Sequence, residues 1–413
     1  MSFTVEDVRN AICLFHQLYE QLVVGVAPED VSYLGYLDSD TPFALNGIAY
    51  YQTYAELVRL VFRIEGIGTK WSEKGVTQSL HERLVELAVR KKAGDKEIDF
   101  DHLAESWLSD LDVTFEEKDC YVPIRGLSVE NELAIGKTVF HPLDKAKQVL
   151  EKKLIGGFFE NLHPIRDCIA TVKVAAEDER ATEILRSEVD ASLNILRYFG
   201  SLVWHSQPHR HINVAGQELH RVSHAVVVPP AGTVTEIGRT EYTPLLFTVD
   251  NQFMQYAEFY GFSFVRNLVQ AQAVPPLHRS FLLAVQWYGH AVQELNDLYA
   301  FVKFYVAIET AIKRMQESAK TSIPRRLSVL IEPFMKTKQR SIMADLKDLV
   351  DERNAIFHSG APENKSIEYL AWFARVMSMQ CLHHLRIRIE KDGLETKEDL
   401  DAWVDHQYDK YLS

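Results

Sequence analysis

The chain has 413 residues, 46% of them hydrophobic and 25% charged, with a formal charge of −13 at pH 7. That length allows two or three domains with large cores, and the composition is ordinary for a soluble globular protein; no apolar run reaches the roughly 18 residues that a membrane span needs, which excludes a membrane-spanning helix. The acidic balance argues at first sight against a nucleic-acid partner, because phosphates require cationic partners, until the position of that charge along the chain is considered.

The amino-terminal segment MSFTVEDVRN has no basic stretch followed by an apolar core, so no signal peptide is expected. Four scattered cysteines (Cys13, Cys120, Cys168, Cys381) with no CxxC read as reduced thiols of a cytoplasmic protein. The first helix is expected in TVEDVRNAICLFHQLYEQLVV, where Thr4 and Asp7 have the spacing of a capping box. YYQTYAELVRLVFRIEG and TQSLHERLVELAVRKKAG follow with helical periodicity; the second closes on Arg90, Lys91, Lys92 and Gly94, a helix-stop pattern. HLAESWLSDL makes one more short helix, so residues 1–111 are expected to form a helical domain. The glycines of EGIGTKW form only a GxG with no strand before it, and no phosphate loop is assigned.

From about Asp112 the pattern turns to β-branched and aromatic residues around turns. VTFEEKDCYVPI, ELAIGKTVFHP (turning at Gly136-Lys137) and IRDCIATVKVAA predict strands. EDERATEILRSEVDASLNILRYFG predicts a helix ending at Gly200, and HAVVVPPAG and YTPLLFTVD predict short strands. Residues 112–274 are therefore expected to form a mixed α/β domain. Within it, WHSQPHRHINVAGQELHRVSH carries His205, His209, His211, His220 and His224. The pairs 205/209 and 220/224 have the i, i+4 spacing of helical metal ligands, but there is no HExxH or nearby cysteine, and Pro208 interrupts the first pair. A polar loop is the plainer reading, and no metal is assigned.

Pro275-Pro276 marks a helix start, and six helical segments follow with short loops: an all-helical domain over 275–413. The predicted fold class is thus α+β: a helical N-terminal region, a mixed α/β middle and an all-α C-terminal bundle. Residues 277–413 are charge-balanced, so the whole −13 belongs to the rest of the chain. Lys313 to Arg340 is locally basic, with Lys313, Arg314, Lys320, Arg325, Arg326, Lys336, Lys338 and Arg340 against Glu317 and Glu332. Such a run is equally well a solvated face. Trp287, Tyr288, Trp372 and Phe373 occur at core spacing and are read as packing, as is His383-His384 on the apolar helix after the motif described next.

QRSIMADLKDLVDERNAIFH projects Ile342, Leu346, Leu349 and Ile356 as one apolar stripe, and Arg353 falls on it. Asn354 and His358 lie one turn apart on another side, and Gly360 and Pro362 then end the helix. An arginine fork suits phosphate, and an imidazole moves protons near neutral pH. RNA supplies its own 2′-hydroxyl nucleophile, so a cation and an imidazole suffice to cleave it without metal. The same residues also suit a structural role, with Arg353 pairing to Glu309 on the second helix and His358 capping the helix end.

Arg353-Asn354-Ala355-Ile356-Phe357-His358 resembles the Arg-x4-His signature of the HEPN superfamily. FLLAVQWYGHAVQELNDLYAFVKFYVAIETAI is similar to the first two helices of its ApeA-like branch, including Glu309. The resemblance covers about Pro276 to Ser413 and implies a HEPN bundle that forms a homodimer. It also implies a metal-independent, cofactor-free endoribonuclease with Arg353, Asn354 and His358 catalytic, Glu309 supporting, and RNA as substrate. Family context further implies prokaryotic anti-phage defence, as a toxin or abortive-infection effector, with a protein or phage-derived trigger acting at the N-terminal region. Arg314, Lys320, Arg325, Arg326, Lys336, Lys338 and Arg340 are candidates to hold RNA. Two rivals remain: a non-catalytic HEPN module serving dimerisation, scaffolding or nucleotide/RNA binding, and a metal enzyme built on the histidine cluster.

Overall fold

The computed structural model describes residues 3–25, 31–38, 41–46, 48–95, 97–145, 148, 167–204, 208–214, 224–227, 235–238, 246–332 and 336–412. The fold is α+β, with a small sheet region in the middle and helices at the C-terminus. Two compact units emerge: residues 1–120 with 173–185, and residues 121–172 with 186–413. No helix among the described residues is long and apolar enough to cross a membrane.

In the first unit, helix α1 (Val5–Gln21) starts on the capping box read from the sequence, with the Thr4 hydroxyl accepting from Asp7 N–H and the Asp7 carboxylate accepting from Thr4 N–H. The helix stops at Gln21 rather than running through Val24. Leu22–Val24 is instead strand β1, pairing antiparallel with β3 (Thr41–Asn46), which also pairs with β2 (Val31–Asp38). β-Branched residues after an amphipathic helix favour this extended form, which the helical periodicity concealed. Helices α2 (Ile48–Arg63), α3 (Ile67–Lys70), α4 (Glu73–Lys92) and α5 (Phe100–Leu111) follow. Their apolar faces enclose a core that includes Phe15, Leu57, Leu80, Leu84 and Trp107.

The second unit holds most of a five-stranded sheet in the order β6-β7-β8-β4-β9, from Leu133–Ile135, Thr138–Pro142, Cys168–Val174, Lys118–Arg125 and Asn213–Val214. The β6–β7 hairpin turns at Gly136-Lys137; Gly136 sits at φ +59°, a conformation costly to a side-chain-bearing residue. β5 (Leu127–Val129) pairs in parallel with β12 (Phe247–Val249), and β10 (His224–Val227) pairs antiparallel with β11 (Thr235–Gly238). The Pro-Pro-Ala-Gly turn predicted at 229–232 lies outside the described residues.

Helix α6 (Asp178–Val203) does not end at Gly200 as the glycine suggested. A Cβ at Gly200 would meet the His209 side chain at 2.7 Å, so the glycine admits an imidazole against a continuing helix. Helices α7 (Asn251–Phe259) and α8 (Phe262–Gln270), not anticipated, precede α9 (Pro276–Gln293), which Pro276 opens as expected. Then come α10 (Asp297–Ile312), α11 (Ala319–Ile331), α12 (Lys336–Ser359), α13 (Ile367–Asp392) and α14 (Lys397–Leu412). Edge-to-face contacts run from Phe262 to Phe199, and from Tyr198 through Tyr288 to Phe304, joining α6, α8, α9 and α10 in one core.

A buried ion cluster fixes α11 against α14. The Arg326 guanidinium, 7% exposed, grips Glu317 with both terminal nitrogens at 2.6 and 2.9 Å, reaches Asp401 at 2.8 Å and donates to Ile312 O at 3.0 Å. That guanidinium holds the Glu317 carboxyl below the usual carboxylate range. Arg326→Ala removes the enclosed cation and leaves Glu317 and Asp401 only the more exposed Arg314 between them, and is expected to destabilise the fold by about 3 kcal/mol, read by urea unfolding.

Candidate functional site

Helix α12 carries the motif because its periodicity gives it one apolar face: Leu346, Leu349, Val350 and Ile356 are buried. Arg353 shares that face, as projected, and its side chain is 26% exposed. Nη2 lies 3.5 Å from Glu309 Oε2 in the last turn of α10, and Nη1 donates to Asn354 Oδ1 at 3.1 Å. The Arg353 guanidinium carbon is 4.4 Å from the ring centre of Phe357 and 5.3 Å from that of Tyr305. In both contacts the cation lies over an aromatic ring, an attraction independent of hydrogen bonding. Burial, reinforced by Glu309, pushes the Tyr305 phenol well above its ordinary value, so it remains protonated. Glu309 also faces Lys313 at 4.0 Å, giving the carboxylate two cations.

His358 stands exposed in the last turn of α12, with no hydrogen bond or ion pair to another described residue. Asn354 is half-buried. The sequence-predicted group therefore falls into an anchored part (Arg353, Asn354, Glu309) and a solvent-facing part (His358). Tyr305 and Phe357 were missed. Phe357 was findable, since it stands four residues after Arg353 and so shares its helical face.

The turn after the motif is held by a residue that sequence reasoning also missed. Glu352 is only 3% exposed, and its two carboxylate oxygens accept from the backbone N–H groups of Glu363 (2.8 Å) and Asn364 (2.9 Å). This folds the 360–366 segment back on α12 and starts α13 beside the turn that bears Arg353. Two further side chains of α13, Tyr369 and Trp372, are exposed rather than in the core; Trp372 is 58% exposed, which corrects its reading as packing. Tyr288, by contrast, is fully buried, as that reading expected.

Most of the locally basic stretch is committed to nearby carboxylates. Arg314 reaches Asp401 at 3.0 Å and Glu398 at 3.2 Å, Lys320 reaches Asp351 at 2.8 Å, and Arg325 pairs with Asp405. Arg326 is buried in its cluster. Arg340 is exposed without an ion-pair partner among the described residues, and the side chains of Lys336 and Lys338 lie outside them.

Of the histidine-rich stretch, His205 and His220 lie outside the described residues. His209 is fully buried, with Nε2 3.0 Å from the Ser201 hydroxyl and its ring against Phe247. Burial, followed by nearby arginines including Arg375 and Arg197, pushes it down to about 3. It is a neutral core imidazole. No group of three or more His, Cys, Asp or Glu suited to a metal ion occurs among the described residues. The four cysteines are free, and burial pushes the Cys168 and Cys381 thiols up to about 12.

Compared with models of known protein families, with curated proteins and with solved structures, the chain finds no match. What the geometry itself defines is an α+β protein whose C-terminal helices display an anchored arginine and an exposed histidine on one helix.

Two measurements follow from this geometry. Glu352→Gln weakens both backbone contacts and is expected to cost about 1–3 kcal/mol in urea unfolding, with faster proteolysis across 360–366. His209 (about 3) and His383 (about 4, lowered by burial and then by His384 and Arg386) both lie below the ordinary 6.5. Below pH 6.5 the unfolded chain binds the protons that the folded one refuses, so stability falls as pH drops toward these folded values. Each histidine contributes up to about 1.4 kcal/mol per pH unit, and His209→Gln is expected to flatten the urea-derived slope between pH 6 and 4 by about that amount.

Proposed function

We propose that the chain is a metal-independent endoribonuclease whose site combines Arg353, Asn354 and His358 from two copies of the C-terminal helical region. The observation that carries this reading is the division of the motif. Arg353 is anchored yet partly open, and His358 is solvent-facing at the helix end. Five residues along a helix separate them by about 7.5 Å and 140°, so one copy does not turn both toward one phosphate. A two-fold pair of helices brings the arginine of one copy and the histidine of the other into one cleft.

In such a cleft one imidazole takes the 2′-hydroxyl proton, and the oxygen attacks the adjacent phosphorus. The guanidinium stabilises the added negative charge, and the leaving 5′-oxygen receives a proton from a second imidazole. The products are a 2′,3′-cyclic phosphate and a 5′-hydroxyl end. Of the basic stretch, Arg340 is exposed with no ion-pair partner among the described residues and is the candidate to contact RNA; it stands about 27 Å along α12 from His358, a span of several nucleotides. The HEPN resemblance implies a setting in anti-phage defence or as a toxin-type effector. In that setting the N-terminal region responds to a trigger.

The Arg353–Glu309 pair favours a second reading, a non-catalytic HEPN-type module for dimerisation, scaffolding or nucleotide/RNA binding. In it the arginine is a structural cation and His358 has no chemical task. The two readings separate on His358→Ala. The substitution is at an exposed position, so the melting temperature is expected to stay within about 2 °C. Under the ribonuclease reading, cleavage of total RNA in EDTA falls at least a hundredfold in this variant and in Arg353→Ala. Undiminished cleavage in both variants, or none by the unaltered chain, defeats it.

A further inference from the structure

We propose that Phe357 is a positioning residue for Arg353, and that its aromatic ring, not its apolar bulk, fixes the guanidinium for phosphate contact. The inference rests on the ribonuclease reading. Phe357 is 57% exposed, so core packing does not account for a large aromatic at this position. Its place four residues after Arg353 brings the ring over the guanidinium, with 4.4 Å from ring centre to guanidinium carbon.

The polar contacts alone leave the guanidinium loosely oriented. The Glu309 contact is 3.5 Å, longer than the 2.7–2.9 Å (roughly) of a well-formed charge-assisted bond, and it engages one terminal nitrogen. Asn354 takes one hydrogen bond from the other terminal nitrogen, and buried Nε has no hydrogen-bond partner among the described residues. The ring of exposed Phe357 supplies the missing restraint from α12, and that of buried Tyr305, 5.3 Å away, supplies it from α10. A guanidinium held against rings loses rotational freedom, while the terminal N–H groups not engaged by Glu309 and Asn354 stay available to a phosphate. Small misplacements of such a group act on the chemical step more than on binding.

The test compares Phe357→Leu, which keeps apolar bulk, with Phe357→Tyr, which keeps the ring. In steady-state cleavage of a single-stranded RNA in EDTA, Leu is expected to lower kcat about five- to tenfold with KM little changed, and Tyr to restore it. Melting temperatures of both variants should match the unaltered chain. The Arg353 Nε–Hε resonance, assigned with Arg353→Lys, reports the contact without RNA. It should show a ring-current shift in the unaltered chain and in Phe357→Tyr, and only the smaller part due to Tyr305 in Phe357→Leu. A Leu variant with unchanged kcat in an active, His358-dependent enzyme overturns the positioning role alone. Absence of His358-dependent cleavage in the unaltered chain overturns the ribonuclease reading, whereas a resonance whose shift is unchanged in Phe357→Leu overturns the ring contact by itself, with or without cleavage.

Discussion

A guanidinium placed on the apolar stripe of a helix must find an anion, because an unpaired charge in a protein interior is strongly disfavoured. In this chain Arg353 meets that constraint through Glu309, and much of the local arrangement follows. The second helix of the bundle has to present a carboxylate in its last turn. Asn354 turns its carbonyl oxygen back to the arginine, and Tyr305 and Phe357 lie against the cation. Glu352, one residue earlier, faces the following turn and takes two of its backbone N–H groups. Adjacent residues of one helix thus fix a neighbouring helix and a loop.

Arginine recurs as the polar fastener of the second unit. Arg326 joins Glu317 and Asp401, and Arg197, 1% exposed, donates to Asn194 Oδ1 at 2.5 Å and Ile212 O at 2.6 Å. Arg386, 6% exposed, pairs with Glu390. Burial lowers the Arg197 guanidinium to about 10, which still leaves it charged at neutral pH. Against these enclosed cations, Arg353 is the more open one, and that difference separates a fastener from a candidate for phosphate.

Local rules were legible wherever local forces decide. Thr4 and Asp7 give a helix start, Gly136-Lys137 a hairpin, Pro276 a helix start, and the Leu346–Leu349–Ile356 stripe correctly put Arg353 toward the bundle. Where tertiary contacts decide, the pattern misled. Leu22–Val24 pairs with a strand more than fifteen residues away, and Gly200 is small because His209 lies on it, not because the helix ends. Trp372 has core spacing but faces solvent. The basic stretch looked like an RNA-facing surface because its carboxylate partners, Glu398, Asp401 and Asp405, come seventy or more residues later on α14. Charge along a sequence counts residues; charge on a surface counts those left unpaired.

Under the proposed reading, side chains of α12 cleave RNA by using its own 2′-hydroxyl. Sequencing the ends left on RNA incubated with the purified chain in EDTA tests it most directly. The account predicts fragments ending in 2′,3′-cyclic phosphate that disappear with His358→Ala. Fragments ending in 3′-hydroxyl and 5′-phosphate, or cyclic ends that persist in that variant, would contradict it.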